Sequence, residues 1–158
     1  AGHGQGPQKE GSVRVPTIFY KPASHPFRAT HEALIATIDF YATIAAQVGK
    51  EIPPHCDGVN LFPFLKGEKP GNAHEYLFWL NNEPGDAVRR HLIAVRWKEW
   101  RLYRKYRKDP WQLFDLASDP REESDVSEKH PEVVSQLSEK HAAWVKTCLL
   151  YTSPSQRD

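Results

Sequence analysis

A chain of 158 residues, 39% hydrophobic and 26% charged, has the composition of one globular domain or of a piece of a larger one, not of a disordered polymer. Its 21 basic and 20 acidic side chains leave a formal net charge of +1, so bulk charge gives no reason to expect a nucleic-acid partner. No run approaches the roughly 20 apolar residues of a membrane helix, no charged-then-apolar leader signals secretion, and Cys56 and Cys148 alone make neither a disulfide framework nor a zinc site. The chain has no methionine and begins Ala-Gly-His-Gly, which fits a reading frame running in from upstream, and equally processing or tag removal.

Residues 1–12, rich in Gly, Gln, Lys and Pro, read as a loop. Val13–Tyr20 is β-branched and aromatic, and Pro16 within it places the start of the strand proper at Thr17. Lys21–Thr30, with Pro22 and Pro26, is a second loop. Ala33–Ile38 fits either a short strand or the opening turns of a helix. With Asp39 as N-cap, Phe40, Ile44 and Val48 follow at helical spacing and Gly49 supplies a stop, so the pattern predicts a helix over Asp39–Val48. Pro53 and Pro54 forbid its continuation, and Leu61–Leu65 has room for a single turn packed through Leu61, Phe62 and Leu65.

From Glu75 the texture changes. Tyr76–Leu80, Leu92–Arg96, Trp100–Tyr103 and Trp111–Phe114 are short aromatic or aliphatic runs separated by turn or charged residues, which predicts a small antiparallel sheet. Trp97-Lys-Glu99 and Arg107-Lys-Asp-Pro110 are its predicted turns. Beyond Asp119-Pro120 a closing helix is predicted, with Pro131 in its first turn and Val133, Leu137, His141 and Trp144 on one face; Lys140 interrupts that stripe. The tail, Cys148–Asp158, breaks the pattern. It resembles the conceptual translation of a transposase-type sequencing adapter with one substitution, and it is set aside from fold reasoning as a scar.

Four ordered blocks resemble the end of a sulfatase of the alkaline-phosphatase-like superfamily. They are Glu10-Gly-Ser-Val-Arg-Val-Pro16; Thr37-Ile-Asp39-Phe-Tyr-Ala42-Thr43 running to Gly49, with Ala42 where the family usually has proline; Asp57-Gly-Val with Leu61 and Leu65-Lys-Gly67; and Ala94-Val-Arg96 followed by Trp111-Gln-Leu-Phe-Asp-Leu-Ala-Ser-Asp-Pro-Arg-Glu122. The resemblance implies an α/β fold. Residues 1–74 would be the last strand and helix of a large α/β domain, 75–147 a C-terminal subdomain of antiparallel sheet and closing helix, and 148–158 an artefactual tail. Arg14 and Asp39 would serve that fold, as an ion pair or a helix cap.

The resemblance also implies a chemistry. Such enzymes cleave sulfate esters with a formylglycine nucleophile, made from the Cys or Ser of C/S-x-P-S-R, beside a calcium ion held by oxygen ligands that suit a hard cation. This chain holds no C/S-x-P-S-R and no paired metal aspartates, so calcium and formylglycine are expected in the full-length parent and not in these residues, which alone should be inactive. Lys9, shortly before the first block, corresponds to a lysine that contacts the sulfate, a role for which a fixed ammonium is suited. His3, in Gly2-His-Gly4, resembles a His-Gly that follows the metal pair. His91, behind Arg89 and Arg90, is a candidate substrate contact from the subdomain.

The remaining histidines show no metal-ligand spacing. Arg101-Leu-Tyr-Arg-Lys-Tyr-Arg-Lys108 interleaves bases with aromatics, a pattern compatible with nucleic acid. Strand alternation instead puts Leu102 on one face and Arg101 and Tyr103 on the other, as in a half-buried hairpin. The resemblance implies a small-molecule or carbohydrate sulfate ester as the partner of the parent, and no nucleic acid or membrane partner is expected. Family membership implies a periplasmic or extracellular parent. Two rivals stand: a phosphoester or phosphonate hydrolase of the same superfamily, and a binding module that recognises sulfated glycans through the basic hairpin. The isolated chain is expected to expose an unpaired strand and to aggregate.

Overall fold

The computed structural model describes residues 9–20, 30–82, 91–106 and 108–150, with backbone alone at 81–82, 91–92 and 148–150. Among them lie α1 (Glu10–Val13), α2 (Asp39–Gln47), α3 (Phe62–Leu65), β1 (Tyr76–Asn82), β2 (His91–Trp97), β3 (Trp100–Arg104), β4 (Gln112–Asp115) and α4 (Pro131–Leu150). The chain divides into two compact units, one of residues 1–16 with 78–158 and one of residues 17–77.

The first unit is built on a four-stranded sheet of order β1-β2-β3-β4, in which β2, β3 and β4 run antiparallel. All four strands fall on the runs that the sequence predicts. A two-residue turn at Lys98 and Glu99 joins β2 to β3, with Lys98 in the left-handed region (φ 50°) and its ammonium 4.5 Å from the Trp97 ring centroid. Of the second predicted turn, Arg107 lies outside the described residues, while the Tyr106 amide donates to the Asp109 carboxylate at 3.1 Å.

Register decides what each face carries, because directly paired residues project to the same side. Val95, Leu102 and Leu113 align across the three strands and are fully buried. Helix α4 lies over this face with Leu137 and His141 inward, while Lys140, the misfit in the predicted stripe, is exposed. Trp100 meets His130 at the approach to the helix, with ring centroids 4.8 Å apart. The opposite face aligns Arg96, Arg101 and Phe114. Sequence alternation makes that face half-exposed, yet Arg101 is 0% exposed. The reason is α1. Residues 10–12, expected within a loop, form a single helical turn closed by the Arg14 amide on the Glu10 carbonyl (2.8 Å), and this turn sits against Arg101.

In the second unit, the strand expected from Thr17 is absent: residues 17–20 form no regular element and pair with no neighbour among the described residues. Ala33–Ile38 is neither strand nor helix but an irregular approach ending in a turn. Helix α2 ends as expected. Gly49 (φ 69°) donates to the Ala46 carbonyl and Lys50 to that of Ala45, which ties off the last carbonyls of the helix.

Asp39 is not the N-cap of α2. Ile38 occupies that position, and the Asp39 carboxylate, buried at 0% exposure, turns away from the helix to bind three other groups. Oδ2 accepts from the Ala36 amide (2.7 Å); Oδ1 accepts from the Val59 amide (2.8 Å) and lies 2.7 Å from His74 Nε2. One turn on, Thr43 Oγ1 accepts from the Leu61 amide (3.1 Å) and donates to the Val59 carbonyl (3.4 Å). The Asp39–Thr43 and Asp57–Leu61 blocks are therefore two halves of one device that straps the 57–61 loop to α2.

Gly58 completes the strap, since a Cβ there would stand 2.1 Å from the Ile38 carbonyl oxygen. Gly58→Ala must push the loop off the helix, and we expect a loss of roughly 1–3 kcal/mol. Hydrogen exchange at the α2 amides checks this; unchanged protection would mean that the loop yields freely.

Candidate functional site

The densest charged constellation in the described residues lies on the Arg101 face of the sheet. Strand β3 delivers the Arg101 guanidinium, whose Nη1 donates to Glu10 Oε2 at 2.8 Å and whose Nε lies 2.8 Å from Glu122 Oε1. The Nε contact is close in distance but off the hydrogen-bond axis, so it acts as an ion pair. The guanidinium also stands 5.4 Å from the Trp79 ring centroid, a favourable cation–π geometry. Glu122 Oε2 in turn accepts the Glu10 backbone amide at 2.7 Å. One arginine and one carboxylate, Arg101 and Glu122, thus grip the side chain and the main chain of the first motif at Glu10.

Glu122 reaches this position through local turn chemistry. The Asp119 carboxylate accepts the amides of Glu123 and Ser124, both at 2.8 Å, which curls the Asp119–Ser124 segment and holds Glu122 in the left-handed region (φ 56°). A non-glycine residue held there carries strain of about 1 kcal/mol or more. That cost is met by the pairing. Burial still pushes the Glu122 carboxyl above the usual carboxylate range, with Arg101 and the Glu10 amide pulling it back. Arg96 joins from β2, its Nε 3.9 Å from Glu10 Oε1 and its Nη1 donating to the Glu99 carbonyl at 3.0 Å. Burial draws its guanidinium below the ordinary arginine range, Glu10 opposing and the like charges of Arg101 and Arg14 adding to the shift.

Of the predicted site residues, Lys9 belongs to this constellation. It is exposed, and its Nζ donates to the carbonyls of Glu122 (3.1 Å) and Arg121 (3.4 Å). His3 lies outside the described residues. His91 opens β2, and its side chain is not among those described. Arg14, expected in an ion pair or cap, is the C-cap of α1, its amide donating to the Glu10 carbonyl; its exposed side chain adds a like charge beside Arg96. The missed residues are Arg96, Arg101 and Glu122. A signal existed for two of them, since Arg96 and Glu122 close motif blocks in which a charge has no helical or turn duty; Arg101 was hidden in a basic run. Among the described residues, no three His, Cys, Asp or Glu side chains gather as a metal ion would need.

Behind the α4 face lies a second cluster. Phe78 stacks on Trp144 (5.1 Å, 11°), His141 meets Phe78, Trp111 and Trp144 at 5.8–6.5 Å, and the Arg104 guanidinium lies 4.1 Å from the Trp111 ring centroid. His141 is 5% exposed, and burial, with Arg104 adding, lowers its pKa to about 4. An unfolded imidazole takes its proton near pH 6.5. Between these values the unfolded chain binds the extra proton, so stability falls as pH drops through that window. We expect His141→Leu to remove about 2 kcal/mol of the loss between pH 7 and 4.5, read by tryptophan fluorescence in urea. Parallel profiles for parent and variant would show that His141 protonates without penalty.

Comparison with known proteins gives these geometries their context. Residues 8–146 match the family described as N-sulphoglucosamine sulphohydrolase, C-terminal. The mouse steryl-sulfatase is 29% identical over 85% of this chain and 26% of its own length. The N-acetylglucosamine-6-O-sulfatase of Bacteroides thetaiotaomicron is 26% identical over 82% of this chain and 25% of its own length. Among solved structures, Ps i-CgsB superposes with a TM-score of 0.61 at 26% identity, over 71% of this chain and 24% of that one. The phosphonate monoester hydrolase SpPMH of Silicibacter pomeroyi superposes with a TM-score of 0.54 at 26% identity, over 75% and 26%. The chain spans about a quarter of the length of these relatives. Its four-stranded antiparallel sheet, its closing helix and the match over residues 8–146 agree, and the chain belongs to the sulfatase family, as the C-terminal portion that the matched family describes.

Proposed function

We propose that this chain is the scaffold end of an enzyme that hydrolyses sulfate esters, with a sulfated sugar as the substrate class. The observation that carries the reading is the match of residues 8–146 to a family named for a sulfated amino sugar, supported by the N-acetylglucosamine-6-O-sulfatase relative. In the complete, periplasmic or extracellular enzyme, formylglycine supplies the nucleophile and calcium the positive charge that sulfate chemistry requires. The C/S-x-P-S-R motif from which formylglycine is made does not occur in these 158 residues, and this proposal assigns the nucleophile and the calcium ligands to the rest of that enzyme.

What this chain contributes is position. Arg101 and Glu122 fix the turn at Glu10, and that turn carries Lys9, the proposed sulfate contact. A pre-set ammonium stabilises an oxyanion without reorganising at the moment of reaction. His3 and His91 are the further substrate contacts of this proposal. Neither nucleic acid nor membrane enters it.

The test is turnover. The 158-residue chain alone is expected to release no sulfate from an aryl sulfate. An enzyme carrying it behind a C/S-x-P-S-R motif and metal ligands is expected to do so, and Lys9→Ala in that enzyme is expected to lower kcat/KM for the sulfate ester. The likeness to a phosphonate monoester hydrolase favours one second reading. Release from phosphonate monoesters with none from sulfate esters would establish it in place of the first.

A further inference from the structure

We infer that Asp57-Gly58 is a site of spontaneous main-chain modification, the isomerisation of aspartate to isoaspartate, and that the strap on α2 holds the reaction off. The inference is independent of the sulfate-ester reading, since it uses only the chemistry of this loop.

The chemistry starts from the sequence. An amide nitrogen that follows an aspartate can attack the aspartyl side chain, and glycine hinders that attack least because it has no side chain of its own. Asp57-Gly58 is the only Asp-Gly pair in the 158 residues, and no Asn-Gly pair occurs. The Gly58 nitrogen bonds to Asp57 Cγ, and the amide proton leaves with the carboxyl hydroxyl as water, which gives a cyclic imide. Water then adds back. Breaking the new bond from Cγ to nitrogen restores aspartate. Breaking the original bond from the Asp57 carbonyl carbon to nitrogen leaves isoaspartate, with the main chain running through Cβ and Cγ and a free carboxylate on Cα.

The loop presents both reacting groups. Asp57 is exposed, and among the described residues neither its carboxylate nor the Gly58 amide takes part in a hydrogen bond or ion pair. The other described aspartates differ: Asp39, Asp109, Asp115, Asp119 and Asp125 each commit a carboxylate oxygen to a main-chain amide. An unpaired amide also gives up no hydrogen bond when its nitrogen reacts.

What restrains the reaction is the anchoring on either side. The Cys56 amide donates to the Pro53 carbonyl at 2.9 Å, and the Val59 amide donates to Asp39 Oδ1 at 2.8 Å. Gly58 between them is buried, and its Cα faces the Ile38 carbonyl so closely that a Cβ would lie 2.1 Å from the oxygen. Ring closure has to turn the 57–58 peptide, and Gly58 has no room to turn while the strap is shut. The reaction therefore draws on the molecules in which the loop has opened locally.

Its product cannot restore the strap. Isoaspartate inserts a methylene into the main chain between two anchored points, so the Gly58 contact with Ile38 and the Val59 bond to Asp39 no longer fit together. Opening permits the modification, and the modification then keeps the loop open.

Ageing of the full chain at neutral pH tests this. Trypsin releases residues 51–66 as one peptide, in which chromatography and fragmentation separate aspartate from isoaspartate at unchanged mass. An isoaspartyl methyltransferase with labelled S-adenosylmethionine counts the sites independently. Isoaspartate at 57 is expected to form at least about tenfold more slowly in the folded chain than in the same chain in guanidinium chloride, because only the open fraction reacts. Thr43→Val, which removes the acceptor of the Leu61 amide, and Asp39→Asn are expected to raise the folded-state rate severalfold. Asp57→Glu, which would need a larger ring, is expected to abolish the product. In an aged sample, the isoaspartyl form is expected to exchange faster at Val59 and Leu61 than the unmodified form beside it.

Equal rates in the folded and unfolded chain would overturn the inference, whatever the variants do. So would strap variants that age no faster than the parent, an unfolded chain that forms no isoaspartate at 57, or an isoaspartyl form with the parent's protection at Val59 and Leu61.

Discussion

Arg101→Leu is expected to cost about 3–5 kcal/mol, the range for removing one partner of a buried charge group. Against a typical stability of about 5–15 kcal/mol this is roughly a fifth or more of the total. The size follows from what is left behind. Glu10 and Glu122 converge on one fully buried guanidinium, and without it two carboxylates face each other inside the protein.

The loss should depend on pH in a defined sense. Burial already raises the Glu122 carboxyl from its ordinary 4.5, and removing Arg101 removes the leading force opposing that rise. A group with a raised folded-state pKa stabilises below its unfolded value and loses that contribution as pH climbs through the folded one. The deficit of the variant should therefore be largest at neutral pH and shrink towards pH 4.5, where a neutral Glu122 no longer needs a cation.

Urea titrations read by tryptophan fluorescence suit the measurement, because Trp79 lies 5.4 Å from the guanidinium. A triple variant, Glu10→Gln, Arg101→Leu and Glu122→Gln, should recover much of the loss, since an uncharged set leaves no orphaned ion. An Arg101→Leu variant within about 1 kcal/mol of the parent at neutral pH would mean that the cluster behaves as a solvated surface pair.

This constellation also marks where sequence reading stopped. The strands were legible because each is a short aromatic or aliphatic run between turn residues, and α4 because Val133, Leu137, His141 and Trp144 recur at helical spacing. Arg101 was not. Alternation assigns it to a half-exposed face, and only the return of residues 9–14 from the far end of the chain buries that face, a contact 91 residues apart in sequence. No local pattern encodes such a meeting. The strand at Thr17 failed for the opposite reason: its composition is correct for a strand, but a ladder is a property of two segments, and none of the described residues supplies the second.

Asp39 was legible as important and misread as to duty. The N-cap reading assumed that an aspartate at a helix start serves the helix, whereas this carboxylate holds the Ala36 amide, the Val59 amide and the His74 ring. The distinction has a measurable consequence. Loss of an N-cap costs about 1 kcal/mol. Asp39→Ala should cost about 3–5 kcal/mol, because it leaves two main-chain amides and an imidazole in or near the interior without an acceptor, each a desolvated donor.

Asp39→Asn separates the two accounts further. An asparagine retains one carbonyl oxygen and serves a cap almost as well as aspartate, but it cannot accept on both sides at once, so one amide must face an NH2 group. Under the strap account the Asn variant keeps less than half of the lost stability, and hydrogen exchange rises at Val59 and Leu61 as well as in the first turn of α2. Exchange confined to the first turn of α2, with a loss near 1 kcal/mol, would restore the capping role and detach the Asp57–Leu61 block from it.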